Sequence, residues 1–379
     1  MTNAISKQQL FFTLLGTSLF SICLFSFMAY QTDSSSFIHA VELLLGESND
    51  PDRLFRRSKP LSLLLPAFLY LSVDLSIQYG FLVQQFLAYW LSAIFLYKIV
   101  AIISSKESFA YLAMLAYILC QPMAVYGLAV LTDGLGWSWM LIGIWMSLKI
   151  ISSSKLSVYH LAILGIFMGL GLFIKESIII TGIFTFFFLL LHPHHALKAK
   201  LIGYLIIGSS FLITFFIGNY LIGFFWGISI FDWIQFGQSD PPPFSWSNFI
   251  TQSYHTIDLF WFLFIIGFIK SISSYKWTAV HYALFLTLIS GWGLLPLFWP
   301  YLYDRILFMM APFILLWVAI GAAHFKAFAL PLVLLAGFTN LLVTFFIYKY
   351  QVSGLIVLSA VVFCLLLLVA HFLRDGKRG

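Results

Sequence analysis

The chain has 379 residues, of which 61% are apolar and 9% charged, and its mean hydropathy is +0.99. That leaves too little polar surface for a sizeable soluble domain and predicts an all-α polytopic membrane protein, a single transmembrane domain over 1–379. The net charge of +6 is spread over isolated Lys and Arg at the ends of apolar runs, as membrane topology requires, so no nucleic-acid groove is expected.

Helical crossings of roughly 20 residues are expected over 10–30, 80–103, 109–126, 132–149, 158–174, 177–191, 201–229, 256–270, 277–297, 306–323, 327–347 and 353–372, about twelve in all. The first run is longer than a signal-peptide core and has no small-residue cleavage site after it, so it reads as a retained span. With both termini cytoplasmic, 13 of the 20 Lys and Arg fall inside, as the positive-inside rule demands. This holds only if 158–191 is a hairpin turning at Lys175-Glu176, because a single long crossing would send eight later basic residues outside. Cys23, Cys120 and Cys364 lie within apolar runs and read as small core residues.

The charges are sorted by side. Of the 14 acidic residues only Glu107 and Asp375 are cytoplasmic in this topology, while Asp33, Glu42, Glu47, Asp50, Asp52, Asp74, Asp133, Glu176, Asp232, Asp240, Asp258 and Asp304 lie in or beside outer segments. Ionisable groups near membrane depth are costly, so that face is where a site is expected.

The first outer loop, 31–79, is the longest. In it Phe37, Ala40, Val41, Leu44 and Leu45 repeat at helical spacing, which predicts a short amphipathic juxtamembrane helix. Asp33 stands just before that helix, placed either to cap it or to work as a carboxylate in a site. Arg53, Arg56, Arg57 and Lys59 then precede the apolar stretch 60–73, which is too short to cross. Four outer cations fit a lipid-linked phosphate, or pairing with Asp50, Asp52, Glu42 and Glu47. Thr132-Asp133, Lys175-Glu176 and Asp304-Arg305 put further charge at outer span ends. A second outer loop over 230–255 carries three successive prolines, 241–243, among Trp233, Phe236, Phe244 and Trp246. These aromatics suit an interfacial belt or a sugar face. His192, His194 and His195 fall on the cytoplasmic side, and a metal role for them is not favoured.

In this arrangement the chain resembles the GT-C superfamily of polytopic glycosyltransferases, in particular the protein O-mannosyltransferase and aminoarabinose transferase group. The similar stretches are Thr32 to Gly46, Arg56 to Pro66, Leu131-Thr132-Asp133, Gly169 to Lys175, and Asp304-Arg305-Ile306-Leu307 with Pro312 downstream. Where some members have a paired Asp-Glu, Asp33 is followed by Ser34, and a Gly-Tyr-Pro after the Arg is missing.

The resemblance implies transfer of a sugar from a polyprenyl-phosphate donor to a lipid, glycan or protein acceptor on the extracytoplasmic side, by an inverting single displacement. It implies residence in the plasma (inner) membrane, or in the ER membrane of a eukaryote. Asp33 would be the catalytic base; Arg305, Lys175, Arg56 and Arg57 would bind the donor phosphate; Asp133, Glu176, Asp304, Glu42 and Asp52 would support them. No cofactor is required by this reading, and a divalent metal is compatible with it. A transporter or flippase of lipid-linked sugar, or a non-catalytic subunit of a glycan-assembly complex, would fit the same composition.

Overall fold

The computed structural model describes residues 6–31, 33–47, 56–232, 235, 244–298, 303–352 and 354–375, except for the side chains of 296–298, 372, 374 and 375. Among the described residues there are helices and turns and no strand. The order is α1 (Lys7–Phe25), α2 (Ser34–Leu45), α3 (Leu64–Val73), α4 (Ile77–Ser104), α5 (Glu107–Ile118), α6 (Gln121–Val125), α7 (Asp133–Ile151), α8 (Val158–Leu172) and α9 (Ile178–Leu191). There follow α10 (Leu197–Trp226), α11 (Trp246–His255), α12 (Phe260–Ser274), α13 (Ala279–Phe298), α14 (Asp304–Leu307), α15 (Pro312–Ala323), α16 (Ala329–Tyr350) and α17 (Leu355–Asp375).

Each run expected to cross the bilayer is helical, but the crossings differ in kind. Five helical stretches, Lys7–Met28, Ile77–Ser104, Asp133–Ile151, Leu197–Trp226 and Lys326–Tyr350, are long and apolar enough to span. Two more qualify only as bent pairs, α11 with α12 at 87° and the segment Asp304–Met310 with α15 at 71°. The other five apolar runs, taken over the described residues alone, are helical stretches of 10–17 residues, so length and composition do not by themselves establish twelve crossings. The run 109–126 is broken between α5 and α6, where Pro122 opens the second helix and denies the first an amide donor. The segment 230–255, expected as a loop, contains α11, whose ten residues have no buried member and expose Trp246 and Ile250.

The hairpin at Lys175-Glu176 is present. Both α8 and α9 pack on α7, and the far end of α9 returns to the far end of α7, where the His195 ring lies 2.7 Å from the Ile151 carbonyl oxygen. The core is built on α5 and α15, which are buried over nearly their whole length. Helices α12 and α15 meet backbone to backbone: a Cβ at Gly267 would fall on the Trp317 carbonyl oxygen, and one at Gly321 on the Leu263 carbonyl oxygen. Small residues permit such an approach, which replaces the hydrophobic drive that lipid cannot supply between helices.

Around the first long loop the amphipathic pattern of α2 is realised. Phe37, Ala40 and Val41 are buried against Leu63, Ala67 and Phe81, and left-handed Gly46 ends the helix. Helix α3 lies against α4, where Gly80 admits the backbone of Pro66, while Phe68, Leu71 and Val73 face outward.

Candidate active site at one end of the bundle

Asp33 is set in place by its neighbours. The Val130 amide donates to the Ala29 carbonyl at 2.8 Å, and the Ser34 hydroxyl, which accepts from the Gln31 amide, donates to the Val130 carbonyl at 2.8 Å. The end of α1 is thus tied to the segment leading into α7. Asp33 occupies the capping position of α2, but its side chain makes no capping bond. Its carboxylate turns to Arg305, 2.6 Å from Nη2, with Arg56 Nη2 at 3.7 Å from the other oxygen.

The remaining charges close around this pair. Asp133, at the first turn of α7 and 1% exposed, accepts from Lys175 Nζ at 2.6 Å and lies 3.8 Å from Arg305 Nη1. Gln85 of α4 holds the start of α7 by donating to the Leu131 carbonyl and accepting from the Leu135 amide. Gly136 makes room for the Lys175 stem. Lys59, almost buried, pairs with Glu176, and the Gln84 side chain donates to Ser62 in the turn that follows Lys59. Arg56 donates to the Ser36 hydroxyl at 3.2 Å and stacks over Phe37 with its Cζ 4.3 Å from the ring centroid.

The structure thus gathers Asp33, Arg56, Asp133, Lys175, Glu176 and Arg305 from segments up to 272 positions apart in the chain. It does not gather every expected residue. Arg57 makes no ion pair among the described residues, and Glu42 faces His39 at 3.6 Å on its own helix. Among the described residues Asp304 makes no pair with the Arg305 guanidinium: one of its oxygens accepts from the Arg305 backbone amide at 2.8 Å and the other from Gln121 Nε2 at 2.8 Å, while its own amide donates to Gln252 at 2.8 Å. Asp52, like Arg53 and the 236–243 proline segment, lies outside the described residues. The rings of Tyr126 and Tyr303, each 5.8 Å from Arg305, join the cluster without having been singled out, and Lys59, expected as one of four outer cations but not placed among the site residues, joins it through Glu176.

Among the described residues four cations meet three carboxylates here, one more positive charge than negative. Burial disfavours the charged form of Asp33, but the Arg305 hydrogen bond and the charges of Arg305, Arg56 and Lys175 outweigh it and hold the carboxyl below the usual aspartate value. Burial likewise opposes ionisation of Glu176, and Lys59 overcomes it, bringing Glu176 down to about 2. Burial lowers Lys59 to about 8 in spite of its partner. Asp33 remains about one-third exposed, so the cluster is open where that carboxylate lies. Among the described residues no three His, Cys, Asp or Glu side chains are disposed to hold a metal.

Residues 59–218 match the family described as Dolichyl-phosphate-mannose-protein mannosyltransferase, a stretch that carries Lys59, Asp133, Lys175 and Glu176. The crystal structure of ArnT from Cupriavidus metallidurans bound to undecaprenyl phosphate shares the fold, with a TM-score of 0.69 at 13% identity over 99% of this chain and 73% of that one. Among curated proteins none matches in sequence.

Proposed function

We propose that the chain is a membrane glycosyltransferase of the GT-C type that moves a sugar from a polyprenyl-phosphate donor to an acceptor hydroxyl on the extracytoplasmic side, by single displacement with inversion, a reading supported by the family match over residues 59–218 and by the shared fold. The observation that carries this reading is the partly exposed Asp33 carboxylate held against Arg305 and Arg56 beside the Lys175–Asp133 pair. A polyprenyl tail stays in the bilayer while its phosphate remains at the surface, so the donor is best bound where cations crown apolar helices.

In the reaction the acceptor oxygen attacks the anomeric carbon, the bond from that carbon to the phosphate oxygen breaks, and the acceptor proton passes to Asp33. Arg305, Arg56 and Lys175 face the departing phosphate and stabilise the charge it gains. An incoming phosphate competes with Asp33 for Arg305, and that exchange frees the carboxylate as donor binds. The carboxylate therefore becomes available as a base only once a donor is present.

The test is sugar transfer by purified protein from undecaprenyl phosphate sugars. Asp33→Asn should keep the fold and lose turnover by at least about a hundredfold. Arg305→Gln should weaken binding of undecaprenyl phosphate itself. Unchanged turnover in the Asp33 variant would remove it as the base.

A further inference from the structure

A second polar cluster adjoins the first along α14. While Arg305 projects to Asp33, Asp304 projects to Gln121, which also donates to the Tyr348 hydroxyl at 3.4 Å and accepts from Thr344 at 3.4 Å. The Tyr348 hydroxyl is 3.2 Å from that of Tyr126, whose ring stands 5.8 Å from the Arg305 guanidinium. Tyr348 is 42% exposed, so the pair forms a shelf running away from the ion cluster.

At the end of this strip Gln121, Thr344, His255, Asp258 and Asn340 line a small cavity. Its volume of about 10 Å³ is near the smallest that admits one water-sized group. Asp258 and Asn340 are 7% and 3% exposed. One oxygen of Asp258 pairs with His255 at 3.1 Å, and the Asn340 oxygen accepts from the Leu259 amide at 3.2 Å. The other Asp258 oxygen and the Asn340 amide nitrogen have no hydrogen-bond partner. One is an acceptor and the other a donor, the two complements of a single hydroxyl. Asp258 also holds a left-handed backbone, φ 44°, at the bend between α11 and α12, a strained geometry of the kind that collects at ligand sites.

We propose that this strip is the subsite for the donor's sugar, with the phosphate on Arg305, the ring against Tyr126 and Tyr348, and one sugar hydroxyl seated between Asp258 and Asn340. The inference rests on the transferase reading for the position of the phosphate. The cavity is too small for a ring, so it selects a hydroxyl at one position of a sugar lying outside it. Asp258 accepts that hydroxyl's hydrogen bond and Asn340 donates to its oxygen.

Direct binding to the purified full-length chain tests this, with undecaprenyl phosphate as one probe and undecaprenyl phosphate bearing mannose, glucose or aminoarabinose as the others. At least one sugar-bearing lipid should bind more tightly than the bare phosphate. Asp258→Asn, a residue type that tolerates the left-handed backbone, should weaken that lipid about tenfold, as loss of a buried hydrogen bond does, and leave undecaprenyl phosphate unchanged. Tyr348→Phe, on an exposed side chain where folding is not at stake, should act in the same direction. Equal binding of all the lipids by wild type, or variants that shift bare and sugar-bearing lipids alike, would overturn the subsite, the cavity then being a water site. Sugar-selective binding with no transfer to any acceptor would instead leave the subsite standing and sink the transferase reading.

Discussion

In the proposed reaction the Asp33 carboxylate has two tasks in sequence, holding Arg305 before donor binds and receiving a proton afterwards. A base must be ionised to act, and the guanidinium groups beside it keep Asp33 charged below the usual aspartate value. Activity should therefore persist at high pH and fall only as pH drops through that lowered value. Arg56→Gln withdraws one of the charges, so the acid limb of the pH profile of kcat/KM should move upward, and a limb that stays in place would show that the pair is not felt at the reacting proton. Glu176 carries a stability consequence of the same sign. With its carboxyl brought down to about 2 from 4.5, its contribution is complete above the ordinary glutamate range and lost as pH falls toward 2. Glu176→Gln removes the carboxylate charge that faces the Lys59 ammonium where only 7% of its side chain is exposed, which should cost up to about 3 kcal/mol, and Lys59→Met added to it should restore part of the loss. Thermal unfolding in detergent at several pH values reads both effects. Asp33, Asp133, Lys175 and Arg305 were legible in the sequence because each stands at a span end, alone or beside a single opposite charge. The choice of Lys59 over Arg57 was not, since four cations within seven positions offer the same chemistry and only the turn at Pro60 decides which of them points inward.

Among the helices, those set by composition alone were legible and those set by contact were not. The α8–α9 hairpin followed from charge balance, because no other topology keeps the later Lys and Arg on one side. The amphipathic α2 followed from its spacing. The breaks between α5 and α6 and between α14 and α15 are each marked by a proline, at 122 and 312, but a proline in an apolar run can equally kink a continuous helix. What fixes the break is tertiary: Gln121 must reach Asp304 and Tyr348. Helix α11 was hidden for a different reason, since its polar face reads as loop until Gln252 is seen to bind the amide of Asp304. The α12 and α15 contact gives a direct test of element packing. Gly267→Ala places a methyl on a carbonyl oxygen and should destabilise by more than about 2 kcal/mol, whereas Gly16→Ala, with nothing within 4 Å, should be neutral or slightly stabilising. Melting temperatures of the two variants in one detergent decide it.

For the whole molecule, the sorting of charge to one set of helix ends in the sequence corresponds to a convergence in space. On the proposed function that correspondence has a physical basis: a lipid-linked phosphate would be met at the membrane surface by groups that cannot be carried far into hydrocarbon. The joining of α12 to α15 through Gly267 and Gly321 has a mechanical outcome. Backbones in contact cannot slide without clashing, so the corner bearing Asp258 and the short helix bearing Arg305 are held together. On the proposed function, admission of a lipid head and discharge of the spent carrier would part the Asp33–Arg305 pair. Spin labels on α2 and α14 should show distances that spread when undecaprenyl phosphate is added, while labels on α11 and α15 hold a single narrow separation throughout.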